Sequence, residues 1–105
     1  MDMDEIELGW KYNERAIRAK GTKEELRILE EGVSKGVETP YTYDRLSILL
    51  VKEGKIKEAI RICKEYQKIM NERLENRRKK GYTIDISPTE KAIIKRLERL
   101  KEKSI

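Results

Sequence analysis

The sequence contains no histidine and no phenylalanine, and only one cysteine, one tryptophan and two prolines among its 105 residues. Without histidine, no side chain has an unperturbed pKa suited to proton transfer near neutral pH. No glycine-rich phosphate loop and no serine in a nucleophile-elbow setting supplies another chemistry. The expectation is a non-catalytic protein with no cofactor. Cys63 has no second cysteine to pair with, which excludes an intramolecular disulfide. With no signal peptide and no long apolar run, a reducing cytoplasm is the expected compartment. The longest purely apolar run, Ile48 to Val51, is far too short to span a membrane.

Charged residues are plentiful, 43% against 37% hydrophobic. That balance suits thin amphipathic helices better than a thick α/β core, so the expected class is all-α in a single domain. Lys, Glu, Arg and Ile dominate and Gln67 is the only glutamine, a thermophile-like usage. The net charge of +5 is uneven. Residues 1–40 carry ten acids and seven bases, whereas residues 41–105 carry ten acids and eighteen bases. Interleaved Lys and Glu otherwise read as solvated helix faces.

Apolar spacing and end signals predict five helices, over about 4–19, 23–35, 40–53, 55–79 and 88–103. In the first, Ile6, Trp10, Asn13 and Ile17 recur at helical intervals with Ala16 beside them, and Trp10 is expected in the core. The acidic start, Asp2, Asp4, Glu5 and Glu7, suits a helix N-terminus and lacks the spacing of a calcium loop. Gly21 stops this helix, and Thr22 with Glu25 spells a capping box for the second. There Leu26, Leu29 and Val33 form the stripe with Ile28 at its margin. Gly32 inside it marks a close helix crossing or a fraying end.

Thr39-Pro40 starts the third helix with an N-cap hydroxyl and a proline at the first position. Tyr43, Leu46, Leu49 and Leu50 form its main face, and Ile48 and Val51 carry hydrophobicity nearly all the way round. It is therefore expected at the centre, covered on two sides or exposing an apolar strip. The fourth helix has two stripes, one of Ile56, Ile60, Cys63, Met70 and Leu74, the other of Ala59, Ile62, Tyr66 and Ile69. One serves the hairpin and the other a neighbouring layer.

Tyr43, Leu46, Ser47, Leu50, Gly54, Ile56, Ala59, Ile60 and Cys63 follow the spacing of a helix-turn-helix repeat of about 34 residues. This stretch resembles the tetratricopeptide-repeat family, and the segment from about Ile6 to Val33 resembles a degenerate second copy. Tyr66 departs from the pattern by replacing a usually small residue. The resemblance implies antiparallel helix pairs stacked as a short right-handed array, with a C-terminal helix or a second copy of the chain capping the open face. It also implies a peptide-holding surface on the first helix of the repeat, formed by Tyr41, Asp44, Arg45, Ile48 and Lys52, and the apolar excess of that helix adds Val51 to the expected protein-binding set. Asp44 and Ile48 stand where the family's carboxylate clamp needs other residues. A protein or peptide partner follows from the resemblance, and a homodimer is one form of it.

An alternative partner is nucleic acid. Arg73, Arg77, Arg78, Lys79 and Lys80 cluster toward the end of the fourth helix, where positive charge also suits the helix dipole. They lack the interleaved aromatics of a stacking platform. Tyr82, Ile84 and Ile86 alternate along the next segment, which is expected to tether the last helix across the hairpin. Ser87-Pro88-Thr89-Glu90 spells a second capping box. The fifth helix then offers Ile93, Leu97 and Leu100 as a packing seam, with Ile94 alongside.

Overall fold

A computed structural model describes residues 3–103, with side chains from residue 8 onward. Among these residues are five helices and no strand: α1 (Met3–Arg18), α2 (Lys23–Ser34), α3 (Pro40–Lys52), α4 (Ile56–Lys79) and α5 (Pro88–Lys103). No described helix is long and apolar enough to cross a membrane.

The helix ends follow from local chemistry. Thr39 has extended backbone, but its hydroxyl makes no capping hydrogen bond, and the start of α3 rests on Pro40 at the first position, where no amide hydrogen is needed. At the other end Gly54 has φ +77°, which L side chains rarely adopt. That conformation lets Lys55 N donate to Leu50 O at 2.9 Å and Gly54 N to Val51 O at 3.0 Å, satisfying carbonyls that the helix leaves open. The capping box of α5 forms as its sequence spells: Glu90 N donates to Ser87 Oγ at 3.2 Å and Ser87 N to Glu90 Oε1 at 3.1 Å. The one expected at α2 does not form. The Thr22 hydroxyl turns to Ala19 O at 2.6 Å, and Glu25 Oε1 accepts from Gly21 N at 3.1 Å.

α3 lies at the centre, in contact with α2, α4 and α5, while α1 packs on α2. The molecule measures 42 × 36 × 20 Å, and its thin dimension holds two helix layers. Tyr43, Leu46 and Leu50 of α3 meet Ala59, Ile62, Cys63, Tyr66 and Met70 of α4 within the core, with Ile93, Leu97 and Leu100 of α5 closing it. Full burial of each large aliphatic side chain contributes about 1.5–3 kcal/mol. This packing, rather than helix propensity, holds the short helices in place.

Burial recurs along the chain. Gly9, Tyr12, Ala16, Glu25, Ile28, Leu29 and Gly32 are buried, and so is the residue 34 positions after each of them: Tyr43, Leu46, Leu50, Ala59, Ile62, Cys63 and Tyr66.

α1 is turned relative to the expected stripe. Trp10 is 78% exposed and Ile17 57%, while Tyr12 and Ala16 are buried. Small residues decide the rotation. Gly9 approaches Thr39 so closely that a Cβ would stand 2.9 Å from its hydroxyl oxygen, and a Cβ on Gly32 would stand 3.3 Å from the Tyr12 ring. The gap at Gly32 thus receives Tyr12, and Gly32 marks a close crossing. Trp10 on that face would separate the helices. In α2, correspondingly, Ile28 is buried and Leu26 and Val33 are only half-buried. The acidic residues 2, 4, 5 and 7 and Ile6 lie outside the described side chains.

Candidate functional site

α4 continues well past the N-terminus of α3. Its far half, the first half of α1 and the α2–α3 turn enclose a cleft of about 640 Å³. α1 contributes Gly9, Trp10 and Asn13; the turn and the start of α3 contribute Gly36, Glu38, Thr39 and Pro40; α4 contributes Ile69, Glu72, Arg73 and Asn76. The turn is held by Val37, which is buried and donates its N–H to Gly32 O at 2.9 Å. Asn13 is fixed by Thr42, whose hydroxyl donates to Asn13 Oδ1 at 2.9 Å. The cleft thus has an aromatic wall, a floor touched by Ile69 and a rim bearing two carboxylates.

Arg73 is committed inward. Its guanidinium pairs with Glu90 Oε2, which also accepts the Tyr66 hydroxyl at 2.6 Å. Burial pushes the Glu90 carboxyl up, but hydrogen bonds from Tyr66, the Ser87 N–H and Arg73 outweigh it and hold the group below its ordinary value. Burial likewise raises the Tyr66 phenol, with the bond to Glu90 acting the same way. The Tyr66 ring lies 5.3 Å from that of Tyr43, tilted by 50°. This node joins α4 to α5.

Two further ion pairs radiate from α3. Arg45 Nε reaches Glu25 Oε2 at 2.6 Å and Arg45 Nη2 reaches Glu25 Oε1 at 3.1 Å, a forked contact on a carboxylate that is 1% exposed. The Arg45 hydrogen bond outweighs burial and lowers the Glu25 pKa. Asp44 accepts from Arg96 of α5 at 2.8 Å, and the same Arg96 nitrogen donates to Ser47 Oγ at 3.0 Å. No described buried side-chain polar atom lacks a partner.

These pairs locate the expected binding residues. Of the α3 surface set, Asp44 and Arg45 are tied to α5 and α2, Tyr41, Ile48 and Val51 are half-buried, and Lys52 is exposed. The basic set is dispersed as well. Arg73 is held by Glu90, and Arg77 donates to Thr83 O at 3.3 Å with its guanidinium 5.9 Å from the Tyr82 ring centroid. Arg78 stands 3.6 Å from Glu75, and Lys79 and Lys80 are exposed. Of the alternating segment only Ile86 packs on the core, while Tyr82 and Ile84 are 61% and 41% exposed.

No known family model, no curated protein and no solved structure matches this chain.

Burial pushes the Cys63 thiol up, and the side chain is fully enclosed, conditions opposite to those of a reactive thiolate. No group of three or more Asp, Glu or Cys that could hold a metal ion occurs among the described residues. Sequence reasoning missed Trp10 as a surface residue. The available signal was its neighbour Gly9: a helix that brings Gly9, Tyr12 and Ala16 to one face must turn Trp10 outward.

Proposed function

We propose that the chain is a non-catalytic protein-recognition module, a short tetratricopeptide-like array closed by α5, which takes a segment of a partner protein at the cleft beside Trp10. The observation that carries the reading is the exposed indole at the cleft wall. A tryptophan left 78% exposed beside a concavity is the side chain most often found to dominate a protein contact. Glu38 and Glu72 on the rim favour a segment that combines apolar with cationic side chains, since a cation gains from both the carboxylates and the indole face.

The 34-residue recurrence of buried positions supports the array, as does the contact of α3 with both α4 and α5. The same shift carries Trp10 onto Asp44 and Ile17 onto Val51, placing the exposed apolar residues of α1 at the repeat positions expected to bind. Tyr41, Ile48, Val51 and Lys52 then continue the contact along α3. Asp44 and Arg45 act instead by holding α3 in register with α5 and α2.

Trp10 is the only tryptophan, so its fluorescence reports on the site directly. Co-purification from the native host is compared for wild type, Trp10→Ala and Ile48→Asp, with thermal melting as the control for folding. The expected result is loss of the partner with Trp10→Ala at unchanged melting temperature, and a blue shift of wild-type emission when the partner is added back. Equal recovery by Trp10→Ala removes the cleft from consideration. A concentration-dependent blue shift of the protein alone, with dimer sedimentation, assigns the surface to a second copy.

A further inference from the structure

The basic residues that align in space are not those that cluster in sequence. Along the outer face of α4, Lys57, Arg61, Lys64 and Lys68 follow one another at intervals of four, three and four residues, and all four are exposed. At the helical rise they form a row about 16 Å long. Together with Ile60 and Glu65 they border a shallow depression. Arg61 lies 3.2 Å from Glu65, whereas Lys57, Lys64 and Lys68 have no ion-pair partner among the described residues. The cations from Arg73 to Lys80 contrast with this, because three of them are held by Glu90, Thr83 and Glu75.

The fold does not require this row. On α2, the positions 34 residues earlier are Lys23, Arg27, Glu30 and Ser34, and Arg27 is taken up by Glu24 at 2.9 Å. The outer face of the first hairpin therefore tolerates mixed charge, while that of the second carries four cations in line.

We infer that this row on α4 is a second contact surface, which binds the phosphodiester backbone of nucleic acid without reading its bases. A linear polyanion matches the geometry: one residue wide, a full turn between successive cations, and no hydrogen-bond fork aimed at a base edge. An anionic bilayer fits less well. Glu58 and Glu65 border the row, and α4 turns its apolar side into the core, leaving no exposed hydrophobic edge to insert. The surface is independent of the cleft at Trp10, so either can fail without the other.

The test is fluorescence anisotropy of labelled random-sequence RNA, single-stranded DNA and duplex DNA with the full chain, titrated with KCl. Displacement of four counterions gives a log–log salt slope of about −3.6 on duplex and about −2.8 on a single strand. The variant Lys57→Gln/Arg61→Gln/Lys64→Gln/Lys68→Gln is compared with a charge-matched control, Arg77→Gln/Arg78→Gln/Lys79→Gln/Lys80→Gln. The row variant is expected to lose at least about tenfold in affinity at low salt and most of the slope, and the control much less. A preference between the RNA and DNA arms identifies the natural polymer. Equal losses in both variants reduce the effect to net charge and overturn the assignment, as does absence of wild-type binding at low salt. Equally effective competition by polyglutamate or by phosphatidylserine vesicles reassigns the row to an acidic protein or a membrane.

Discussion

The two hairpins solve one packing problem with opposite choices. At the helix crossing, α1–α2 places Tyr12 against Gly32, so the bulk comes from the first helix and the space from the second. At the equivalent positions of α3–α4, Leu46 faces a helix that carries Tyr66, and this larger side chain reaches beyond its own hairpin to Glu90 of α5. A second inversion accompanies the first. Ala59 in α4 is a small, fully buried residue, whereas its counterpart Glu25 in α2 is a buried carboxylate that binds Arg45 of the next hairpin. Both inversions turn a residue from packing within its hairpin to fastening the following layer. The two hairpins thus acquire a fixed order: α2 holds α3 through Glu25, α3 holds α5 through Asp44, and α4 holds α5 through Tyr66.

Exchanging residues between the hairpins tests this contrast. The largest loss is expected from Tyr66→Ala, about 4 kcal/mol in chemical denaturation, because a fully buried ring is removed and the buried Glu90 carboxylate loses the hydrogen bond from its hydroxyl. Next is Glu25→Ala, which gives α2 the residue of α4 and leaves Arg45 partly buried without its carboxylate, at a cost of about 3 kcal/mol near neutral pH. The double variant Glu25→Ala/Arg45→Leu should recover much of that, and a double-mutant cycle measures the coupling.

Acid titration sharpens the same point. Glu25 and Glu90 have pKa values lowered from 4.5 in the folded chain, so their stabilisation is present above that value and is lost as pH falls through the folded values. Stability followed against pH should fall less steeply there for Glu25→Ala than for wild type. An unchanged slope would mean that Glu25 is ionised alike in both states.

Smaller effects follow. Gly32→Val crowds the Tyr12 ring and should cost about 2 kcal/mol by forcing α1 from α2, with no corresponding loss in the α3–α4 core as read by hydrogen exchange. Least affected is Trp10→Ala, whose stability should stay within about 0.5 kcal/mol of wild type because the side chain packs on little. A large loss there would place the indole in the fold rather than in a contact.

Local signals were legible because single residues decide them. Pro40 and Gly54 delimit α3, and Ser87 with Glu90 starts α5. Periodicity likewise named α3 as the central helix, since its apolar residues extend nearly round it. What periodicity did not reveal was the rotation of α1, because its stripe of large residues and its face of small ones each have helical spacing. The choice between them depends on Gly9 and also on Gly32, a residue of another helix. Ion pairs across 20 or more positions, such as Glu25 with Arg45 and Asp44 with Arg96, are equally invisible to a local pattern. They tie two expected surface residues, Arg45 and Asp44, to neighbouring helices and leave them only half-buried. The expected basic cluster was adjacent along the chain but spread around the helix, whereas Lys57, Arg61, Lys64 and Lys68 align only once the helix is drawn.

Cys63 and Trp10 each occur once, one fully enclosed between α3, α4 and α5, the other on the outside of α1. The pair gives the molecule two clocks. A thiol reagent can reach Cys63 only when the central layer opens, so its labelling rate counts the rare excursions of the whole fold. The indole responds at once to whatever touches the surface. A ligand that slows the first clock through a site seen by the second would connect recognition at the rim to the lifetime of the interior, without any engineered label.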